Sequence, residues 1–116
     1  VVVLDPTLLK VVDVTEGVPQ NGIIIVNTTE DSQSLKKKLD FAGEVYTVDA
    51  YQLAKEEIGR PIPNTPMIGA LTKATDLISL ADLTKYIEQE LMKKFNDQDI
   101  VAKNISAIKR TYKEVS

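Results

Sequence analysis

The segment Arg60-Pro61-Ile62-Pro63-Asn64-Thr65-Pro66-Met67-Ile68-Gly69 holds the residues best suited to chemistry. Its prolines restrict the loop's φ angles, and Thr65-Pro66 predicts a helix start, with threonine as cap and proline at the first helical position. The free N–H groups of a helix start, with the planar guanidinium of Arg60 beside them, suit an anion such as a phosphate group. The competing reading is a rigid crossover whose arginine pairs with a nearby carboxylate. A second polar set, Asp5, Asn27-Thr28-Thr29 and Asp49, stands just after three apolar runs. In parallel α/β sheets ligands gather beyond the carboxyl ends of the strands, although such residues also cap helices or satisfy loop amides. The candidate ligand-contacting residues are therefore Asn27, Thr28, Arg60, Asn64 and Thr65.

Other chemistries are hard to assemble. Histidine is absent, which removes the usual general base near neutral pH, and cysteine is absent, which removes thiolate ligands for zinc or iron-sulfur clusters. No Gly-rich phosphate loop occurs in either the dinucleotide or the Walker A form. The carboxylate pairs Glu56-Glu57 and Asp97-Asp99 fall on helix surfaces or helix starts, where solvation and the helix dipole account for them. The Lys36-Lys37-Lys38 run reads as a solvated helix face. Neither a catalytic residue nor a metal-ligating set is expected in this chain. Its net charge of -3 opposes nucleic-acid binding, and apolar runs such as Ile23 to Val26 are too short to span a membrane. Nothing resembles a signal peptide, so the expected location is the cytoplasm.

These residues need a framework. Val1 to Leu4, Ile23 to Asn27 and Val45 to Val48 read as strands, the first two as continuous apolar runs suited to a parallel sheet covered on both faces. The intervening Pro6 to Val18, short and irregular, and Ser32 to Leu39 are able to turn helical, giving a β-α-β-α-β order. Tyr51 to Ile58 reads as a helix stopped by Gly59, and a further helix runs from Thr65 to Thr75. Ser79 caps a helix striped by Leu80, Leu83, Ile87 and Leu91, a stripe that serves either core or interface. After Asn96-Asp97 a last helix carries Val101, Ile105, Ile108 and Tyr112 on one side. With 116 residues and no internal repeat, one domain is expected over 1–116.

Taken in order, Leu4-Asp5-Pro6-Thr7-Leu8, Gly22 through Asn27-Thr28, Val48-Asp49-Ala50, Gly59-Arg60-Pro61 and Asn64-Thr65-Pro66-Met67-Ile68-Gly69-Ala70 form a recognisable series. The sequence resembles the gamma subunit of 2-oxoacid:ferredoxin oxidoreductases, nearest to the pyruvate and 2-ketoisovalerate branch, from its first residue to its last helix. The resemblance implies a Rossmann-like, three-layer parallel α/β sheet with a carboxyl-terminal helical hairpin, the family's amino-terminal strands and Gly-rich turn being missing. It further implies a place beside alpha, beta and delta subunits in a complex of anaerobic metabolism. That complex uses thiamine diphosphate, magnesium, iron-sulfur clusters and coenzyme A to convert a 2-oxoacid to acyl-CoA, carbon dioxide and reduced ferredoxin. This chain would supply framework and part of the coenzyme A surface, through Asn27, Thr28, Arg60, Asn64 and Thr65, while binding no cofactor alone. An uncovered sheet edge would be met by partner contact or by homo-oligomerisation. The alternatives are a stand-alone module for a small anion and a protein-interaction module.

Overall fold

The computed structural model describes residues 1–116. Strands β1 (Val2–Val3), β2 (Ile23–Asn27) and β3 (Glu44–Val48) form an open sheet in the order β1-β2-β3. All pairings are parallel, with Val2 opposite Ile25 and Ile23 opposite Glu44. The uninterrupted apolar run of β2 is explained by burial on both faces: Ile24, Ile25 and Val26 are at most 1% exposed. Alternation sends Ile24 and Val26 to one face with Val3, Leu35 and Phe41, and Ile25 to the other with Val48, Leu53, Met67 and Val115.

Helix α1 (Ser32–Leu39) covers the first face and matches its sequence-based bounds. Asp31 caps it, its side chain accepting from the Ser34 amide. The short, irregular segment Pro6 to Val18 turns helical only as a 3-10 turn over Pro6–Lys10, with irregular chain beyond and no α-helix. The physical reason lies in local polar groups and breakers. Asp5 and Asp13 each hold the amide and hydroxyl of a threonine two residues on, Gly17 takes φ 78, and Pro19 follows. These bonds hold both carboxyls below the usual range, the threonine hydroxyl contributing most in each. The β-α-β-α-β order is thus met in its second crossover, whereas the first crossover lacks an α-helix.

On the second face lie α2 (Ala50–Glu57) and α3 (Asn64–Thr75), with α4 (Leu80–Phe95) and α5 (Gln98–Glu114) forming the expected hairpin outside them. The stripe Leu80, Leu83, Ile87 and Leu91 packs on Val101, Ile105 and Ile108, so it is core of the hairpin. Ser79 caps α4 by accepting from the Asp82 amide, and Asp97 caps α5. Helix α3 begins one residue before Thr65, with Pro63 at the cap and no side-chain cap bond, so Thr65 is not the cap that its sequence suggests. Gly69 permits α3 and α5 to meet: a Cβ there would stand 2.2 Å from the Ile108 carbonyl oxygen. The chain then leaves α5 extended, and Thr47 and Ser116 exchange both backbone hydrogen bonds at the outer edge of β3.

Candidate functional site

Helix directions decide which candidate residues can meet. Asn27 closes β2 and accepts from the Ala50 amide at the start of α2 (2.8 Å), while its amide donates to the Leu4 carbonyl (3.0 Å). Arg60 lies beyond the other end of α2, whose eight residues span about 12 Å. Asn27-Thr28 and the Arg60 loop therefore stand at opposite ends of α2 and build two separate places.

The first place is at the carboxyl ends of β1 and β2. Asn27 is fully buried and joins the ends of the first strand and the second helix. Thr28 is half-buried, and its hydroxyl accepts from the Glu30 amide (3.2 Å). A cavity of about 480 Å³ opens beside it, walled by Pro6, Leu9, Lys10, Glu30 and Lys38 among others. Glu30 forms an ion pair with Lys38 across this wall, so one of its two lysines is already paired and Lys10 remains. Asp5 and Asp49 serve as caps, Asp49 accepting from the Gln52 amide.

The second place is a cavity of about 550 Å³ shared by the α2–α3 loop and the hairpin. Arg60 and Thr65 line it from one side. From the other come Lys94, Phe95, Ile100, Lys103 and Asn104, which sequence reasoning did not select. Three cations and no carboxylate line it, in a chain whose net charge is -3. Lys103 pairs with exposed Asp99 (3.1 Å), and the Lys94 ammonium stands 5.3 Å from the Phe95 ring centre. Ile62, Phe95 and Ile100 leave 49%, 43% and 37% of their surface exposed, so the cationic rim encloses apolar ground. Asn64 begins α3 and is exposed, outside the cavity wall. The hairpin residues were hidden because each looks like ordinary helix surface. Only the return of α4 and α5 to the α2–α3 loop brings them together.

The arginine that does pair with carboxylates is Arg110. Its guanidinium binds Glu56 and Glu57 of α2, and its Nε donates to Glu114 at 3.0 Å. Ser106 adds a bond to Glu57 at 2.9 Å. The Glu56 carboxyl is held below its usual range by the Gln52 amide and by Arg110, and the guanidinium is raised in turn, chiefly by Glu56. This cluster ties α2 to α5, and Arg110 and Glu114 line a small cavity of about 210 Å³ with Asp49 and Gln52. No group of three acidic, cysteine or histidine side chains is placed to hold a metal ion.

Residues 1–114 match the family profile described as pyruvate ferredoxin/flavodoxin oxidoreductase. The chain is 44% identical over 115 residues to the pyruvate synthase subunit PorC of Thermotoga maritima, covering 99% of this chain and 59% of that protein. It is 37% identical over 115 residues to the common gamma subunit of the pyruvate/ketoisovalerate oxidoreductases of Pyrococcus furiosus, covering 98% and 60%. The crystal structure of the Thermotoga maritima pyruvate oxidoreductase subunit PORC superposes with a TM-score of 0.84 at 41% identity, over 99% of this chain and 62% of that one. The chain thus spans about three fifths of the length of these relatives. The fold, the profile and the identity along nearly the whole sequence agree: the chain belongs to the pyruvate ferredoxin/flavodoxin oxidoreductase family.

Proposed function

We propose that this chain forms part of the gamma subunit of a multisubunit 2-oxoacid:ferredoxin oxidoreductase, acting on pyruvate. The reaction is coenzyme A-dependent oxidative decarboxylation to acyl-CoA, carbon dioxide and reduced ferredoxin. The observation that carries this reading is 44% identity with a pyruvate synthase subunit along 99% of the chain. Its side chains agree with a supporting role, because cysteine and histidine are absent and no acidic cluster is placed for a metal. In this reading iron-sulfur clusters and thiamine diphosphate with its magnesium are held by the alpha, beta and delta partners, and no chemical step is assigned to this chain. A cytoplasmic location fits that assembly.

The chain's direct contribution is an anion-binding surface for coenzyme A. Of the two places, the Arg60 cavity suits phosphate better, since Arg60, Lys94 and Lys103 line it without a carboxylate. Thr65 lies on its wall, and Asn64 at the α3 start can approach a ligand that extends from it. Thr28 is the candidate on the other cavity, with Asn27 holding the strand end behind it. In the assembled complex, Arg60→Ala should raise KM for coenzyme A by about tenfold, the loss of one charge-assisted hydrogen bond, with KM for the 2-oxoacid unchanged. An unchanged KM for coenzyme A would remove Arg60 from the surface.

A further inference from the structure

We propose that Asn21 is a site of spontaneous modification, its side-chain amide being converted to aspartate and isoaspartate by way of the Gly22 nitrogen. Asn21 is exposed in the turn that leads into β2, and glycine follows it. The chain has four other asparagines. Asn27 and Asn104 are 0% and 9% exposed. Asn64 and Asn96 precede Thr65 and Asp97, whose side chains crowd the attacking nitrogen. Only at Asn21 do an open side chain and an unhindered following amide coincide.

In the reaction the Gly22 nitrogen bonds to Asn21 Cγ, the bond from Cγ to the side-chain nitrogen breaks, and ammonia leaves with the proton lost by Gly22. Water then opens the cyclic imide at one of its two carbonyls. Opening at the main-chain carbonyl gives isoaspartate, which adds a methylene to the backbone, and opening at the other gives aspartate.

Packing retains the vulnerable pair. A Cβ on Gly22 would stand 2.6 Å from Val18 Cγ1 and 2.9 Å from the Pro19 oxygen, so a bulkier residue is excluded there. The turn also moderates the reaction, because the Gly22 N–H donates to the Pro19 carbonyl at 2.8 Å and must be released before attack. The product falls at a sensitive point. The Gly22 oxygen accepts from the Glu44 amide at 3.1 Å, one residue before Ile23 and Glu44 pair, so an added methylene displaces the first rung between β2 and β3.

The test uses the full-length subunit in its assembly, aged at mildly alkaline pH beside a synthetic peptide of residues 18–25. Peptide mapping and labelling by an isoaspartyl methyltransferase report the site. The expected result is loss of the unmodified Asn21 peptide and gain of isoaspartyl label there, with the other four asparagines intact and the label absent in Asn21→Gln. Retention of the Asn21 amide after complete conversion of the synthetic peptide would overturn the proposal, as would label appearing first at Asn64 or Asn96.

Discussion

Asn27 shows how one side chain can serve fold and site together. Its oxygen and its amide each have a backbone partner on a different element, and no water is available at 0% exposure to replace either. Replacement by leucine leaves the buried Ala50 amide and the part-buried Leu4 carbonyl without their partner. A loss of about 2–5 kcal/mol is expected for Asn27→Leu, read by denaturant unfolding of the full-length protein. At Gly69 the constraint is steric. Gly69→Ala drives a methyl group against the Ile108 carbonyl and must push α5 from α3, for a loss of about 1–3 kcal/mol in the same measurement. Asn27 was visible in the sequence as a polar residue ending an apolar strand, which left open whether it met a ligand or the backbone. Its two bonds are to the backbone, and no count of neighbours along the chain could have found them, since both partners are 23 residues away.

Among the elements, helix ends were the more readable features. The Ser79 cap, the run of α1 and the α4–α5 hairpin follow from local signals, and Ser79→Ala should cost about 1 kcal/mol of stability by thermal unfolding. Helices α1, α3 and α4 all end on non-glycine residues in the left-handed region, Asp40, Asp76 and Asn96. Asp76→Gly should accordingly add about 1 kcal/mol, also seen as a raised melting temperature. The irregularity of Pro6 to Val18 is legible, but not the absence of an α-helix there, because its helix-compatible residues compete with Asp5 and Asp13, which bind nearby amides and fold the chain into turns. The Arg110 cluster was half visible: Glu114 lies one helical turn away, but Glu56 is 54 residues distant. Since Glu56 is held below its usual range when folded, its contribution is complete above the unfolded value near 4.5 and is lost as pH falls through the folded value. Stability measured between neutral and acidic pH should therefore decline less steeply in Arg110→Met than in the parent.

For the molecule as a whole, the sequence shows a parallel α/β core and its family, while the cationic cavity emerges only when α2, α3 and the hairpin are assembled. The separation of Asn27-Thr28 from Arg60 by the length of α2 is likewise a property of the assembled molecule, because both segments stand beside strand or helix ends in the sequence. The pairing of Ser116 with Thr47 has a consequence for biosynthesis. Val115, just before it, is 7% exposed and sits in the same cluster as Ile25, Val48 and Met67. A nascent chain emerging from the ribosome displays that side of the sheet long before Val115 can reach it. That face, already met by α2 and α3, thus lacks its last apolar cover until synthesis has passed α5, and chains stalled within that helix leave apolar surface exposed to aggregation.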